Sequence, residues 1–117
     1  MAKPSTFNRT TAELLHDKLN SDERPVLINA LAKEAYMAKR IPGSINVPAE
    51  HPEWIDDIVP DKDEDIVVYC ANTDCPASPN LAESLIDRGY TRVWDYEEGL
   101  AGWENTGHKL VGNDVNS

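Results

Sequence analysis

Apolar residues along the chain fall into short blocks of two alternating periods, and the blocks predict helices and strands in turn. Thr10-Thr11-Ala12-Glu13 reads as a capping box, with Thr10 as the N-cap and Glu13 three residues on. Leu14, Leu15 and Leu19 follow on one helical face, which predicts a helix over about 11–20. Val26-Leu27-Ile28, after Pro25, is apolar at successive positions and suits a strand covered on both faces. Ala32 to Lys39 is a short helical stretch. Ile41-Pro42-Gly43-Ser44 is a turn, whose Pro and Gly set the dihedrals ahead of a short strand, Ile45-Asn46-Val47-Pro48.

In the second half, Glu50 to Ile58 places Trp54, Ile55 and Ile58 at helical spacing, and Pro60-Asp61 ends that segment. Ile66-Val67-Val68-Tyr69 is a continuous apolar run that reads as a buried strand ending at Cys70. Ser78 then reads as an N-cap with Pro79 at the first helical position, Leu81, Ala82, Leu85 and Ile86 as the buried stripe, and Gly89 as the C′ residue. Val93-Trp94 predicts a last short strand, and Gly99 to Trp103 a last short helix. Helices alternating with short strands imply an α/β fold, a small and mostly parallel sheet flanked by helices on both faces. The length of 117 residues suits one domain over 1–117, with an ordered core over about 5–111 and a tail from Gly112 to Ser117 expected to fray.

Composition narrows the function classes. With 21 acidic against 11 basic residues the formal net charge is −10, which repels nucleic acid and anionic lipid, so neither is an expected partner. The acidic clusters at Asp56-Asp57, Asp61 to Asp65 and Asp95 to Glu98 lie in or beside predicted turns and read as solvated faces. Apolar runs are too short to span a bilayer, and Met1-Ala2-Lys3-Pro4-Ser5 lacks the apolar stretch of a secretory signal. A cytoplasmic, monomeric protein with two reduced thiols is the expectation.

Cys70 carries the candidate chemistry. Ligand and catalytic sites of open α/β sheets gather at the carboxyl ends of strands, where Cys70 stands. The loop Ala71-Asn72-Thr73-Asp74-Cys75-Pro76-Ala77-Ser78 leads into a helix, whose N-terminal amides and positive dipole end favour thiolate over thiol. Cys70 is therefore the expected nucleophile. Cys75, five positions on, is open to two readings: a thiol that resolves or oxidises with Cys70, or a packed loop residue. His16, His51 and His108 show no ligand spacing to either cysteine and read as surface histidines, so no metal and no cofactor is expected. Trp54, Trp94, Trp103, Tyr36, Tyr69 and Tyr90 flank element boundaries and read as core or rim packing.

Three stretches together resemble a rhodanese-like domain. Glu34-Ala35-Tyr36-Met37-Ala38-Lys39-Arg40-Ile41-Pro42-Gly43-Ser44-Ile45-Asn46-Val47-Pro48 is similar to the family's "E-Y-x-x-x-H-I-P-G-A-I-N-I-P". Ile66 to Cys70 with Gly89-Tyr90-Thr91-Arg92-Val93 resembles its "V-V-Y-C … L-x-x-x-G-Y-x-x-V", and Glu98-Gly99-Leu100-Ala101-Gly102-Trp103 with Gly107 and Leu110-Val111 its closing "G-G-x-x-x-W-x-x-x-G-x-P-V". The resemblance implies the parallel α/β fold already inferred and a sulfurtransferase or sulfur carrier. Cys70 would take sulfane sulfur as a persulfide from a small donor or a persulfide-bearing protein and pass it to a thiol or other nucleophile. Backbone amides of Ala71, Asn72, Thr73, Asp74 and Cys75 are the candidates for holding the terminal anionic sulfur.

The departures from the family pattern are as specific as the matches. Its common loop runs cysteine, x, x, Gly, x, Arg, Ser, and this chain has neither the Gly nor the Arg; Cys75 or Ala77 stands in the arginine's place, depending on alignment. From Cys70 through Asp87 there is no Lys or Arg, and Asp74 adds a negative charge, so an anionic donor such as thiosulfate gains less. Without a loop arginine, phosphatase chemistry fits poorly. Arg40 replaces a His, and Asn29 an Asp that bears on loop packing. Two further readings remain: a binding or regulatory module with little activity, and a Cys70–Cys75 redox switch.

Overall fold

Short apolar blocks bury fully only when both faces of a sheet are covered, and the computed structural model, which describes residues 7–115, shows that arrangement. Its strands are β1 (Asn8–Arg9), β2 (Val26–Asn29), β3 (Ile45–Asn46), β4 (Ile66–Tyr69) and β5 (Val93–Tyr96). They form one all-parallel sheet in the order β1-β5-β4-β2-β3. The helices are α1 (Ala12–Leu19), α2 (Lys33–Ala38), α3 (Ile55–Ile58), which continues a 3-10 turn over Pro52–Trp54, α4 (Ala77–Asp87) and α5 (Gly99–Asn105). Among the described residues, no helix is long and apolar enough to cross a membrane. The expectations for Met1 to Ser5 lie outside the described residues, as do the start of the core at residue 5 and the last two residues of the tail.

The central strand β4 is buried at all four positions. Ile66 and Val68 meet Leu81, Ala82, Leu85 and Ile86 of α4 together with Ile55 of α3, while Val67 and Tyr69 meet Ala12 and Leu15 of α1 together with Leu100 and Trp103 of α5. Gly89 closes α4 with φ +99°, and the Tyr90 amide donates to Leu85 O at 3.1 Å, as expected for a C′ glycine.

Several expectations are corrected by tertiary pairing. Asn8 and Arg9 carry no strand signal, yet they pair with Trp94 and Asp95, because the edge of β5 offers free backbone groups. The Thr10 amide extends this ladder to Asp95 O at 3.1 Å, and the N-cap falls on Thr11, which is extended and whose hydroxyl accepts from the Leu14 amide at 3.3 Å. Leu14 is 56% exposed and does not join Leu15 in the core. At α4 the helix begins at Ala77, so Ser78 lies inside the first turn and not at the cap, and Pro79 follows where a missing N–H leaves nothing unpaired. Asp95 is 1% exposed within β5 and not part of a solvated acidic turn. The described part of the tail makes backbone contacts with the end of α2 and the residues after it. Val111 bridges Arg40, and the amides of Asn113 and Asp114 donate to Met37 O and Ala38 O at 2.8 and 3.0 Å.

Tyr69 ends β4 in a buried hydrogen-bond junction. Its hydroxyl accepts from Asn29 Nδ2 at 3.0 Å and from the Ile41 amide at 2.9 Å, and lies 2.8 Å from Ser44 Oγ. Ser44 Oγ in turn donates to Ile41 O at 2.8 Å, which leaves its oxygen to accept the tyrosine proton. Asn29 Oδ1 accepts from the Leu31 amide at 2.9 Å, so Asn29 does pack the loop after β2. Tyr69→Phe leaves the buried Asn29 and Ile41 donors unpaired and is expected to lower unfolding stability by about 2 kcal/mol, read from urea denaturation; an unchanged midpoint would remove the junction's structural role.

Candidate active site

Cys70 stands one residue past β4, fully buried, and the chain around it is fixed by its backbone. Its carbonyl accepts from the Leu100 amide at 3.0 Å, and the Ala71 carbonyl accepts from the Ala101 amide at 3.0 Å, so the first turn of α5 ties down the strand end. This approach requires Gly99, which has φ +60° and leaves no room for a side chain; a Cβ there would lie 2.1 Å from Cys70 O.

The Cys70 sulfur lies 3.4 Å from Ser78 Oγ and 3.4 Å from Cys75 O, and its S–H can donate to either. Burial pushes the Cys70 thiol above its ordinary value, and the neighbouring Cys75 thiol pushes the same way, while the Ser78 hydroxyl and amide pull it down. Burial wins. The net direction runs against the thiolate expected from the helix N-terminus; that terminus reaches the sulfur through Ser78 but does not offset desolvation.

The loop from Ala71 to Cys75 makes a narrower cradle than expected. The Asp74 amide donates to Asn72 Oδ1 at 3.0 Å and the Cys75 amide to Asn72 O at 3.2 Å, so both are engaged in the loop's own turn. Asn72, Thr73 and Asp74 are exposed, and Ala71 is half-buried. Cys75 is half-buried, its thiol adjoins that of Cys70, and both cysteines are free.

Two residues of this site were given no role in it by the sequence. Ser78 supplies both a hydroxyl and an amide to the sulfur. Asp95, in register with Val68 on β5, sits beside the Ser78 hydroxyl, and its Oδ1 is buried without a partner. Burial pushes the Asp95 carboxyl up, with Glu97 adding to it, against the Ser78 hydroxyl and Arg9, which lower it. The signal was period two: Val93 and Asp95 share parity in the block Val93-Trp94-Asp95-Tyr96, which places the carboxylate on the same inward face as Val93.

Other candidates lie elsewhere. Arg40 packs over the Tyr36 ring at 5.0 Å, and its Nη1 donates to Tyr36 O at 3.4 Å. A cavity of about 310 Å³ adjoins the start of α4; Ala77 forms one wall, with Ala30, Pro48, Lys33 and His51 around it. His51 stacks on Trp54 at 4.6 Å. His16 and His108 are half-buried at the surface, stacked on each other at 4.3 Å, with His108 against Trp103 at 4.5 Å. Trp103, Tyr69 and Tyr90 are core residues, whereas Trp54 is 45% exposed.

Comparison with known proteins agrees with this geometry. The family profile of the rhodanese-like domain matches residues 11–106. The HTH-type transcriptional regulator Rv0324 of Mycobacterium tuberculosis is 31% identical over 99 residues, 84% of this chain; the chain spans 42% of that regulator. The solution structure of a rhodanese-like domain from an Anabaena protein superposes with a TM-score of 0.81 at 21% identity, over 93% of this chain and 82% of that one, and so shares the fold. A rhodanese with anions from E. coli has a TM-score of 0.62 at 29% identity, over 76% of this chain and 99% of that one.

Proposed function

The chain belongs to the rhodanese-like domain family, and on that premise we propose that it moves sulfane sulfur as a persulfide on Cys70. The observation that carries the reading is the buried Cys70 thiol at the carboxyl end of β4, its sulfur 3.4 Å from Ser78 Oγ and from Cys75 O. Strand and α5 fix the sulfur's position, and the flanking groups give its proton somewhere to go, as a nucleophilic thiol requires. A sulfurtransfer step needs only that this sulfur displace a leaving thiolate from a sulfur–sulfur bond.

The charge of the loop favours one class of donor over another. The loop holds Asp74 and no cation, so the doubly charged thiosulfate meets repulsion where a low-charge persulfide, free or carried by a protein, does not. Thiosulfate turnover is expected to be weaker than loading by an alkyl persulfide. Asp74→Asn should raise the thiosulfate rate a few-fold at low salt and less at high salt, since Asp74 is exposed and screened. Equal rates with both donors, unchanged by Asp74→Asn, would overturn the donor assignment.

Two observations support further readings. The likeness to part of a transcriptional regulator, with the missing loop arginine, favours a regulatory module that binds or senses sulfur species. The adjoining thiols of Cys70 and Cys75 favour a redox switch. Mass spectrometry of the intact protein after polysulfide, thiosulfate or oxidant separates these. A gain of one sulfur atom on Cys70 supports the carrier, loss of two hydrogens the switch, and an unchanged mass under every reagent would reject both in favour of the module.

A further inference from the structure

Asp95 is the one buried acidic residue among the described residues, and nothing in its surroundings holds it as an ion pair within the core. It lies on the same face of the sheet as Cys70, opposite Val68 in the parallel ladder and two positions short of the cysteine's own level. Ser78, also 1% exposed, stands between the two, its Oγ 3.4 Å from the Cys70 sulfur and beside the Asp95 carboxyl. A hydroxyl so placed can accept from the Cys70 thiol and turn its own proton toward the Asp95 carboxyl beside it. The unpartnered Oδ1 leaves that carboxyl with room to take a proton.

Resting on the persulfide reading above, we propose that Asp95 is a positioning residue for Cys70: through the Ser78 hydroxyl it takes the thiol proton as sulfur is loaded and returns it as sulfur leaves. At rest Cys70 S–H donates to Ser78 Oγ, and Ser78 O–H donates to the Asp95 carboxylate. In loading from an alkyl persulfide, RS–SH, the Cys70 sulfur bonds the terminal sulfur, and the RS–S bond breaks with its electron pair leaving on RS⁻. The Cys70 proton passes to Ser78 as the Ser78 proton passes to Asp95. The products are Cys70–S–SH, RS⁻ and a neutral Asp95 carboxyl, so one negative charge enters the account on Asp95 and one leaves with the thiolate. In unloading, an acceptor thiolate bonds the terminal sulfur, the electron pair of the broken S–S bond returns to Cys70, and the proton comes back from Asp95 by the same path. At no stage does the dry pocket hold two anions, which desolvation would oppose.

The charged and titratable groups facing this path are few. Arg9, from β1, favours the Asp95 carboxylate; Glu97, after β5, opposes it; Cys75, from the loop, opposes a Cys70 thiolate. From α4 the facing group is the Ser78 hydroxyl, which does not titrate in this range.

The test follows the rate of Cys70 alkylation by iodoacetamide against pH, in a Cys75→Ala background that leaves one thiol, with and without Asp95→Asn or Ser78→Ala. The Asp95-containing protein should show two rises separated by a plateau, the first as the shared pair loses one proton and the second as it loses the other. Asp95→Asn should show a single rise, at lower pH than the second, because no carboxylate then opposes the thiolate. Ser78→Ala should keep the late rise and lower the plateau about tenfold, the loss of one hydrogen bond to an anion. Coincident profiles with and without Asp95→Asn would overturn the proposal, and should Asp95→Asn not fold, an unchanged plateau in Ser78→Ala would do the same. Alkylation needs no sulfur donor: two rises without sulfur uptake would reject the persulfide function alone, and sulfur uptake with coincident profiles would reject the role of Asp95 alone.

Discussion

Cys70→Ser is expected to abolish sulfur loading and leave the fold standing. The serine hydroxyl occupies less space than the thiol but keeps a donor toward Cys75 O and Ser78 Oγ, both 3.4 Å from the native sulfur, so stability should change by less than about 1.5 kcal/mol. Chemistry does not survive the exchange, because a neutral hydroxyl in a dry pocket is a poor nucleophile toward sulfur and forms no persulfide. The intact mass after polysulfide reads this directly. Because Cys75 is retained, a variant that still gained one sulfur would identify Cys75 as the carrier and remove Cys70 from the role.

Gly99→Ala is expected to be among the most damaging substitutions on the chain, at about 3 kcal/mol or more, and to loosen Cys70 at the same time. The added Cβ would meet Cys70 O at 2.1 Å and the Ala71 carbonyl carbon at 2.9 Å, both backbone atoms that move only if α5 parts from the end of β4. The Leu100 and Ala101 amides would then lose Cys70 O and Ala71 O. Gly89→Ala provides the control, since Gly89 has φ +99° but nothing within 4 Å of the added carbon, so only conformational strain of about 1–2 kcal/mol applies. Urea unfolding of the pair checks both values. Equal losses would mean that the contact between Gly99 and the Cys70 backbone is not what holds the site.

Where sequence sufficed, the signal was local and repeated. Four successive apolar residues ahead of Cys70 can bury only as a strand covered on both sides, and β4 lies at the centre of the sheet with α4 on one face and α1 and α5 on the other. The stripe Leu81, Ala82, Leu85 and Ile86 and the glycine that ends it were legible for the same reason: one period, sustained over the helix, with a stop residue whose backbone freedom has a single use. The position of Cys70 came with the strand, because a residue at a strand's carboxyl end is placed by the strand's own length.

Tertiary structure alone decided what depends on a second segment. Asn8 and Arg9 form a strand only because β5 presents unpaired backbone groups, and that pairing engages the Thr10 amide, while the helix cap falls on Thr11. Asp95 sits in sequence at the head of an acidic run and reads as solvated; in the fold it is sealed between β1, β4 and α4. Ser78, expected to cap a helix, instead turns its hydroxyl to the sulfur, since α4 starts two residues earlier than expected. The upward push on the Cys70 thiol follows from these placements. A helix N-terminus can be read from a loop and its caps, but desolvation is set by how many segments close over a group, and no stretch of sequence records that count.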